Sequence, residues 1–407
     1  MADKGMNGKS LVAGDWFPGE MGFETKAVHA AVDPDPLTGA ILPPIYQNTT
    51  FVQTSVADYL AKGFSYSRTA NPTVRVLEKK IAELEGGFDC ACFSTGMAAT
   101  CTVFSGFLSP GDHCVITNCS YGGTNRAARV HYSKYNIDFE FVDFRNLKEI
   151  EAAIKPGKTK MLFSETPCNP TLFLADVAAI SALAKKHGLI HVCDSTFATP
   201  LMTKPLELGA DMVIQSTTKF YDGHNLTVGG AVISATTQLD ETIKFHRNVL
   251  GNIMAPQNAF YTLATVKTLP LRVKQQSETA LKVAEMLEKH PKVDKVAYPG
   301  LASFPQRELA LKQHLKGVHG GMLWFEVKGG TAAGRKLMDT IPRPWSLCEN
   351  LGATESIITC PAVFTHANMT SEDRLKVGIT DGFIRVSVGV ESAEDLIASL
   401  KYALDHI

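Results

Sequence analysis

The sequence predicts an α/β protein in two parts: a large domain on a mainly parallel sheet and a smaller C-terminal α+β domain. Short apolar, β-branched runs, CVIT (114–117), MLFS (161–164), LIHVCDS (189–195) and MVIQS (212–216), alternate with helical patterns, as strands buried on both faces of a parallel sheet do. At 407 residues the chain exceeds what one hydrophobic core usually supports. After about Ser277 the pattern turns to a long amphipathic stripe and few, well-separated strands, so a boundary is expected near residue 270.

Residues 1–62, with Pro, Gly and weak periodicity, read as an extended N-terminal arm lying on a neighbour, 63–270 as the large domain and 271–407 as the C-terminal domain. CACFSTGMAATCTVF reads as a strand that turns through Ser94-Thr95-Gly96 into an alanine-rich helix. Val177, Ile180 and Leu183 keep helical spacing, and Lys185-Lys186-His187-Gly188 ends that helix with cations and a glycine terminator. Ala280, Val283, Ala284 and Leu287 form the later stripe, which ends at His290-Pro291. GMLWFEV (321–327), ESIIT (355–359) and FIRVSV (383–388) are strand candidates, and Ser392 with Asp395 caps a final helix.

Forty Lys+Arg against 41 Asp+Glu leave a net charge of −1, which provides no field for nucleic acid or an anionic bilayer, so the expected ligand is a small molecule. No apolar run approaches the roughly 18 residues of a membrane-spanning helix and the N-terminus lacks a signal-peptide pattern, so a soluble cytoplasmic protein is expected. The nine cysteines include no C-x-x-C and read as reduced core thiols. His187 and His191 are separated by a helix-ending glycine, His314 and His319 read as surface or turn residues, and no metal site is expected. The run Leu271-Arg272-Val273-Lys274 reads as a solvated helix end. No G-x-S-x-G elbow, P-loop or G-x-G-x-x-G is present.

Five segments carry candidate chemistry. Lys219 follows an apolar strand within Ser216-Thr217-Thr218. A desolvated lysine at a parallel-strand end is a usable amine nucleophile, and the hydroxyls of Ser216 and Thr218 suit a phosphate; a solvated strand-end charge is the plain alternative. Asp194 ends another apolar strand, where a carboxylate needs a cation such as a protonated pyridine nitrogen, or else caps a local turn. The helix start at Gly96 and Met97 offers backbone N–H groups to an anion, and Tyr121 beside Gly122-Gly123 could stack on a planar ligand or simply pack in a turn. Arg385 sits among Ile, Val and Val, which calls for a substrate carboxylate or an internal salt bridge.

Taken together, YSRTANPT (66–73), STGMAA (94–99), SYGGTNR (120–126), ETPCNPT (165–171), CDSTF (193–197), STTK (216–219) and IRVSVG (384–389) resemble the Cys/Met-metabolism family of pyridoxal 5'-phosphate (PLP) enzymes, in the family's order and over nearly the whole chain. The resemblance implies PLP fold type I, the aspartate-aminotransferase-like architecture, and a homotetramer, a dimer of dimers with shared active sites. It implies that Lys219 holds the cofactor as a Schiff base and shuttles protons, with Asp194 on the ring nitrogen, Tyr121 stacked on the ring and Thr196 supporting it. Gly96, Met97, Ser216 and Thr218 would hold the phosphate, with Tyr66 and Arg68 reaching across from the partner subunit. Asn169 and Arg385 would grip the carboxylate of an amino-acid substrate, and Arg126, Glu349 and Asn350 would lie toward its distal part.

The chain departs from the family pattern at Asn350, where serine is usual, at Ser195, where Asn is usual, at Asn225-Leu226 in place of Ser-Asp, and at Ser65 in place of glutamate. Gly123 stands where methionine γ-lyases carry cysteine. Three readings follow: elimination of a sulfur substituent, γ-replacement by the same machinery, and a non-catalytic PLP or phospholigand carrier.

Overall fold

The computed structural model describes residues 20–59, 63–363, 371–376 and 378–407. Seven strands form the larger sheet: β1 (Asp89–Phe93), β2 (His113–Thr117), β3 (Asp138–Val142), β4 (Thr159–Glu165), β5 (Ile190–Asp194), β6 (Met212–Gln215) and β7 (Gly230–Ser234). Their order is β1-β7-β6-β5-β4-β2-β3, parallel from β6 to β3, with β7 antiparallel to both of its neighbours. Every residue of β2, β6 and β7 is buried, the signature of a sheet covered on both faces.

The second sheet has the order β10-β11-β12-β9-β8, from β8 (Val293–Ala297), β9 (Met322–Val327), β10 (Ser346–Leu347), β11 (Ile357–Thr359) and β12 (Phe383–Ser387). The last helix, Ala393–Asp405, starts where expected, with Ser392 Oγ accepting from Asp395 N at 3.3 Å. The helix Val177–His187 ends at Gly188 with φ 65, a left-handed position that glycine adopts without steric cost.

The change of character read at Ser277 lies inside one helix, Leu269–Glu288. Leu269 and Val273 pack with the large domain's core and Ala280, Val283, Ala284 and Leu287 with the small domain's, so one rod joins the two cores and residue 270 is at its first turn. The solvated end expected at 271–274 is not there. Arg272 is buried and donates to the carbonyls of Phe220 (2.8 Å), Tyr221 (3.4 Å) and Thr265 (3.1 Å), because the backbone that follows Lys219 turns its oxygens toward this helix. His314 is likewise buried, its Nδ1 2.9 Å from His319 Nδ1.

Within the arm, residues 1–19 and 60–62 lie outside the described residues. Residues 23–29 form a short helix anchored by Lys80, whose Nζ donates to the carbonyls of Ala27 and Val28, whereas Leu37, Ile41, Val52 and Val56 are exposed.

Candidate active site

The carboxyl ends of β4, β5 and β6 open onto a cavity of about 640 Å³, where an open parallel sheet offers room for a ligand. Asp194 is the last residue of β5, and Lys219 lies four residues beyond the end of β6. The small domain contributes Arg385, from the middle of β12, together with Glu349 and Asn350 from the loop after β10.

Lys219 is partly buried, and its Nζ donates to Asn350 Oδ1 at 2.6 Å. Burial, reinforced by the charge of Arg385 and opposed by Glu349, pushes its ammonium down to about 8. Near neutral pH a usable fraction is therefore neutral amine, able to attack a carbonyl or to take a proton. The segment carrying it is braced from behind by Arg272. At Gly223, φ 62, an added Cβ would lie 1.9 Å from Arg272 Nη1, so only glycine lets the guanidinium reach those carbonyls.

Asp194 is buried and its Oδ1 accepts from Thr196 N at 3.0 Å; desolvation raises its pKa, with Thr196 opposing. Glu165 was not among the sequence candidates. It pairs in register with Asp194 across β4 and β5, and burial and then the charge of Asp194 hold its carboxyl well above the ordinary range. Its two oxygens accept from Tyr121 N and Asn169 N, both at 2.8 Å, so one side chain ties together the loops carrying both residues. The sequence signals for it were its place at the end of an apolar strand and at the head of the ETPCNPT motif.

The helix Gly96–Phe107 also points its N-terminus at the cavity, and Thr95 Oγ1 caps Ala98 N at 2.8 Å. Gly96 packs so closely on Ser216 that a Cβ would stand 3.0 Å from its Oγ. Met97 lines the cavity beside them. Thr196 Oγ1 accepts from Ser216 N at 2.9 Å, and Thr218 Oγ1 accepts from Gly229 N at 3.0 Å, which fixes the hydroxyl wall. Tyr121 is half-exposed with its ring over Gly123, where a side chain would collide at 2.5 Å.

Arg385 is buried, and its hydrogen bonds go to neutral oxygens: Asn169 Oδ1 at 3.2 Å and the carbonyls of Glu349 at 2.9 Å and Asn350 at 3.4 Å. Burial pushes its guanidinium down to about 10, the sign of a cation short of an anion. Arg126 also lines the cavity. Tyr66 and Arg68 do not; they pair with each other, the guanidinium 5.5 Å from the ring centroid, and Arg68 Nη1 donates to Asn248 O.

PLP fits these residues. The cavity joins a helix N-terminus and hydroxyls suited to a phosphate, a buried carboxylate that lacks a cation, an amine with a depressed pKa and a half-exposed aromatic ring. Fold and site together define a PLP-dependent enzyme of the type I architecture. The family model described as Cys/Met metabolism PLP-dependent enzyme matches residues 24–405, and the chain belongs to that family. It is 43% identical over 384 residues to a cystathionine beta-lyase of Coxiella burnetii (94% of this chain, 97% of the relative) and 41% identical over 384 residues to a cystathionine gamma-lyase of Bacillus subtilis (94% and 99%). A cystathionine gamma-synthase of Mycobacterium leprae is 40% identical over 387 residues (95% and 98%). Among solved structures, a cystathionine gamma-lyase from Lactobacillus plantarum complexed with L-serine superposes with a TM-score of 0.90 at 39% identity, covering 95% of this chain and 99% of that one. Among the described residues no helix is long and apolar enough to cross a membrane.

Proposed function

We propose that the chain is a cystathionine γ-lyase, which converts L-cystathionine and water to L-cysteine, 2-oxobutyrate and ammonia, with sulfide release from cysteine as a lesser activity. The observation that carries this reading is one cavity holding an amine poised near neutrality, Lys219, and a buried guanidinium without an anion, Arg385. The first suits proton transfer at Cα and the second an α-carboxylate.

PLP, when bound, supplies an electron sink for the charge that develops at the substrate's Cα and Cβ. Lys219 holds the cofactor and, as a free amine, takes the Cα proton. Asp194 would favour a positive charge on the ring nitrogen, Tyr121 and Thr196 would support the ring, and Gly96, Met97, Ser216 and Thr218 would hold the phosphate. Arg385 and Asn169 orient the substrate carboxylate so that the Cα–H bond faces Lys219. Arg126, Glu349 and Asn350 face the distal half of the substrate. A second deprotonation, at Cβ, supplies the electron pair that breaks the Cγ–S bond; the two protons taken from Cα and Cβ end on the departing cysteine sulfur and on Cγ, and water hydrolyses the released enamine to 2-oxobutyrate and ammonia. In a homotetramer built as a dimer of dimers, Tyr66 and Arg68 serve the neighbouring subunit's site, in keeping with their place outside the cavity of their own subunit.

A second reading, γ-replacement or β-elimination, is favoured by Asn350 on Lys219, where the family usually has serine, and by relatives of similar identity named gamma-synthase and beta-lyase. The test is to incubate the PLP-loaded protein with L-cystathionine alone and identify products by mass spectrometry. Cysteine with 2-oxobutyrate is expected. Homocysteine with pyruvate would make it a β-lyase, and absence of product combined with turnover of a homoserine ester and cysteine would make it a synthase.

A further inference from the structure

Lys219 is the inner end of a hydrogen-bonded chain that leaves the cavity. Its Nζ donates to Asn350 Oδ1 at 2.6 Å, Asn350 Nδ2 donates to Asn225 Oδ1 at 2.6 Å, and Asn225 Nδ2 donates to Glu355 Oε2 at 2.9 Å. Its polarity is set at the outer end. A carboxylate accepts and does not donate, so Asn225 turns its NH2 to Glu355 and its oxygen to Asn350. Asn350 must then turn its NH2 to Asn225 and its oxygen to the lysine. Asn225 is held in place by a left-handed backbone, φ 55, and by Asp222 Oδ2, which accepts from the N–H groups of His224 and Leu226 on either side of it. Glu355 also accepts from Thr354 Oγ1 at 3.2 Å. Neither Asn225 nor Glu355 lines the cavity.

We propose that Asn225 and Glu355 are positioning residues for Lys219: by fixing the orientation of the Asn350 amide they keep an acceptor oxygen on Nζ whenever Lys219 is a free amine, and so set where the amine rests and how readily it gives up its proton. This rests on the reading of Lys219 as the proton-transfer lysine. An acceptor on Nζ favours the ammonium form, in the same direction as Glu349 and against burial and Arg385. Tyr121, Asp194 and Glu165 face the same cavity and are common to all the variants below. An Asn350 amide free to flip would present its NH2 for part of the time and favour the neutral amine.

The test measures, in the full-length protein freed of PLP, the pH dependence of Lys219 acetylation by acetic anhydride, read by mass spectrometry of the peptide spanning residue 219. Asn225→Gly, which keeps the left-handed turn, and Glu355→Gln, whose amide can present either end, are each expected to lower the midpoint and speed acetylation at pH 7 by up to roughly tenfold. The double variant Asn225→Asp/Glu355→Gln restores the polarity, because the carboxylate introduced at position 225 would accept from both neighbours, and is expected to return the midpoint to that of the parent. In the PLP-loaded enzyme the acidic limb of the kcat profile is expected to move with the midpoint while KM stays put. Midpoints unchanged in both single variants, or a double variant that stays shifted, would overturn the proposal. If Lys219→Ala retained turnover, the catalytic reading would fall while the acetylation midpoints remained readable on their own.

Discussion

The two walls of the cavity are incomplete in opposite senses. The large sheet brings two buried carboxylates, Asp194 and Glu165, side by side without a cation, and both are held above their ordinary range by burial. The small sheet brings a buried guanidinium that, among the described residues, meets only neutral oxygens. Each wall is costly as it stands, and a ligand cationic toward one and anionic toward the other relieves both. The large domain therefore reads as the holder of a cationic ring and the small domain as the holder of a substrate anion, with Lys219 between them.

The largest expected effect is at the group between the walls. Lys219→Ala is expected to lower cystathionine turnover by about 10³-fold or more, since it removes the covalent anchor and the proton acceptor together. Product formation followed by mass spectrometry checks this, and turnover within tenfold of the parent would favour a carrier that uses the site only to bind.

Next come the walls themselves, which are expected to fail in different parameters. Asp194→Asn keeps the shape but removes the charge that favours a protonated ring nitrogen, so kcat is expected to fall by about 10²–10³-fold with little change in KM. Arg385→Ala removes the anion site, so KM for the amino acid is expected to rise by about 10²-fold or more while PLP still binds, as read by absorbance of the loaded protein. If both variants lost the same parameter, the division of labour between the sheets would be wrong.

A smaller effect is expected one layer behind the lysine. Gly223→Ala puts a Cβ against the guanidinium of Arg272 at a left-handed backbone position, so either the turn or the clamp on Phe220 and Tyr221 must give. A loss of about 1–3 kcal/mol of stability in urea unfolding is expected, with kcat falling in step as Lys219 loosens.

Legibility in the sequence followed the range of the signal. Lys219, Asp194 and Gly96 announce themselves locally, because a polar or small residue at the end of an apolar strand conflicts with its neighbours, and the strands and caps around them obey periods of a few residues. Glu165 ends a strand in the same way, but its importance lies in the register that sets it against Asp194 and in two backbone amides from separate loops. Arg272 looked like part of a solvated basic run because sequence alone does not show that carbonyls 51 and 52 residues away turn toward it. The Asn225–Asn350 contact spans 125 residues and two domains; both positions stood out only as departures from a family pattern, with nothing to say that they touch.

The last test touches stability and not turnover, and asks whether unpaired burial alone explains the raised carboxyls of the cavity. One helix, Pro72–Glu85, carries two buried carboxylates seven positions apart, both outside the cavity. Glu78 pairs with Arg247 and Arg75, and these charges, with Lys244, outweigh its burial and hold it low. Among the described residues Glu85 has only the Tyr221 hydroxyl at 2.7 Å and the Gln215 amide at 2.9 Å, and burial raises it from the ordinary 4.5 to about 7. A carboxyl raised in the folded state binds its proton more tightly there than in the unfolded chain, so its contribution is fully present below 4.5 and is lost as pH climbs through about 7. Such a rise corresponds to about 3 kcal/mol. Glu85→Gln keeps the acceptor that both partners use and cannot ionise, so the PLP-loaded variant is expected to match the parent in urea at pH 4.5 and to exceed it at pH 8 by up to that amount. A parent whose stability does not fall between those pH values, or a variant that falls as steeply, would show that burial without a cation does not govern these carboxyls, and the reading of Asp194 as a carboxylate short of its ring cation would lose its physical support.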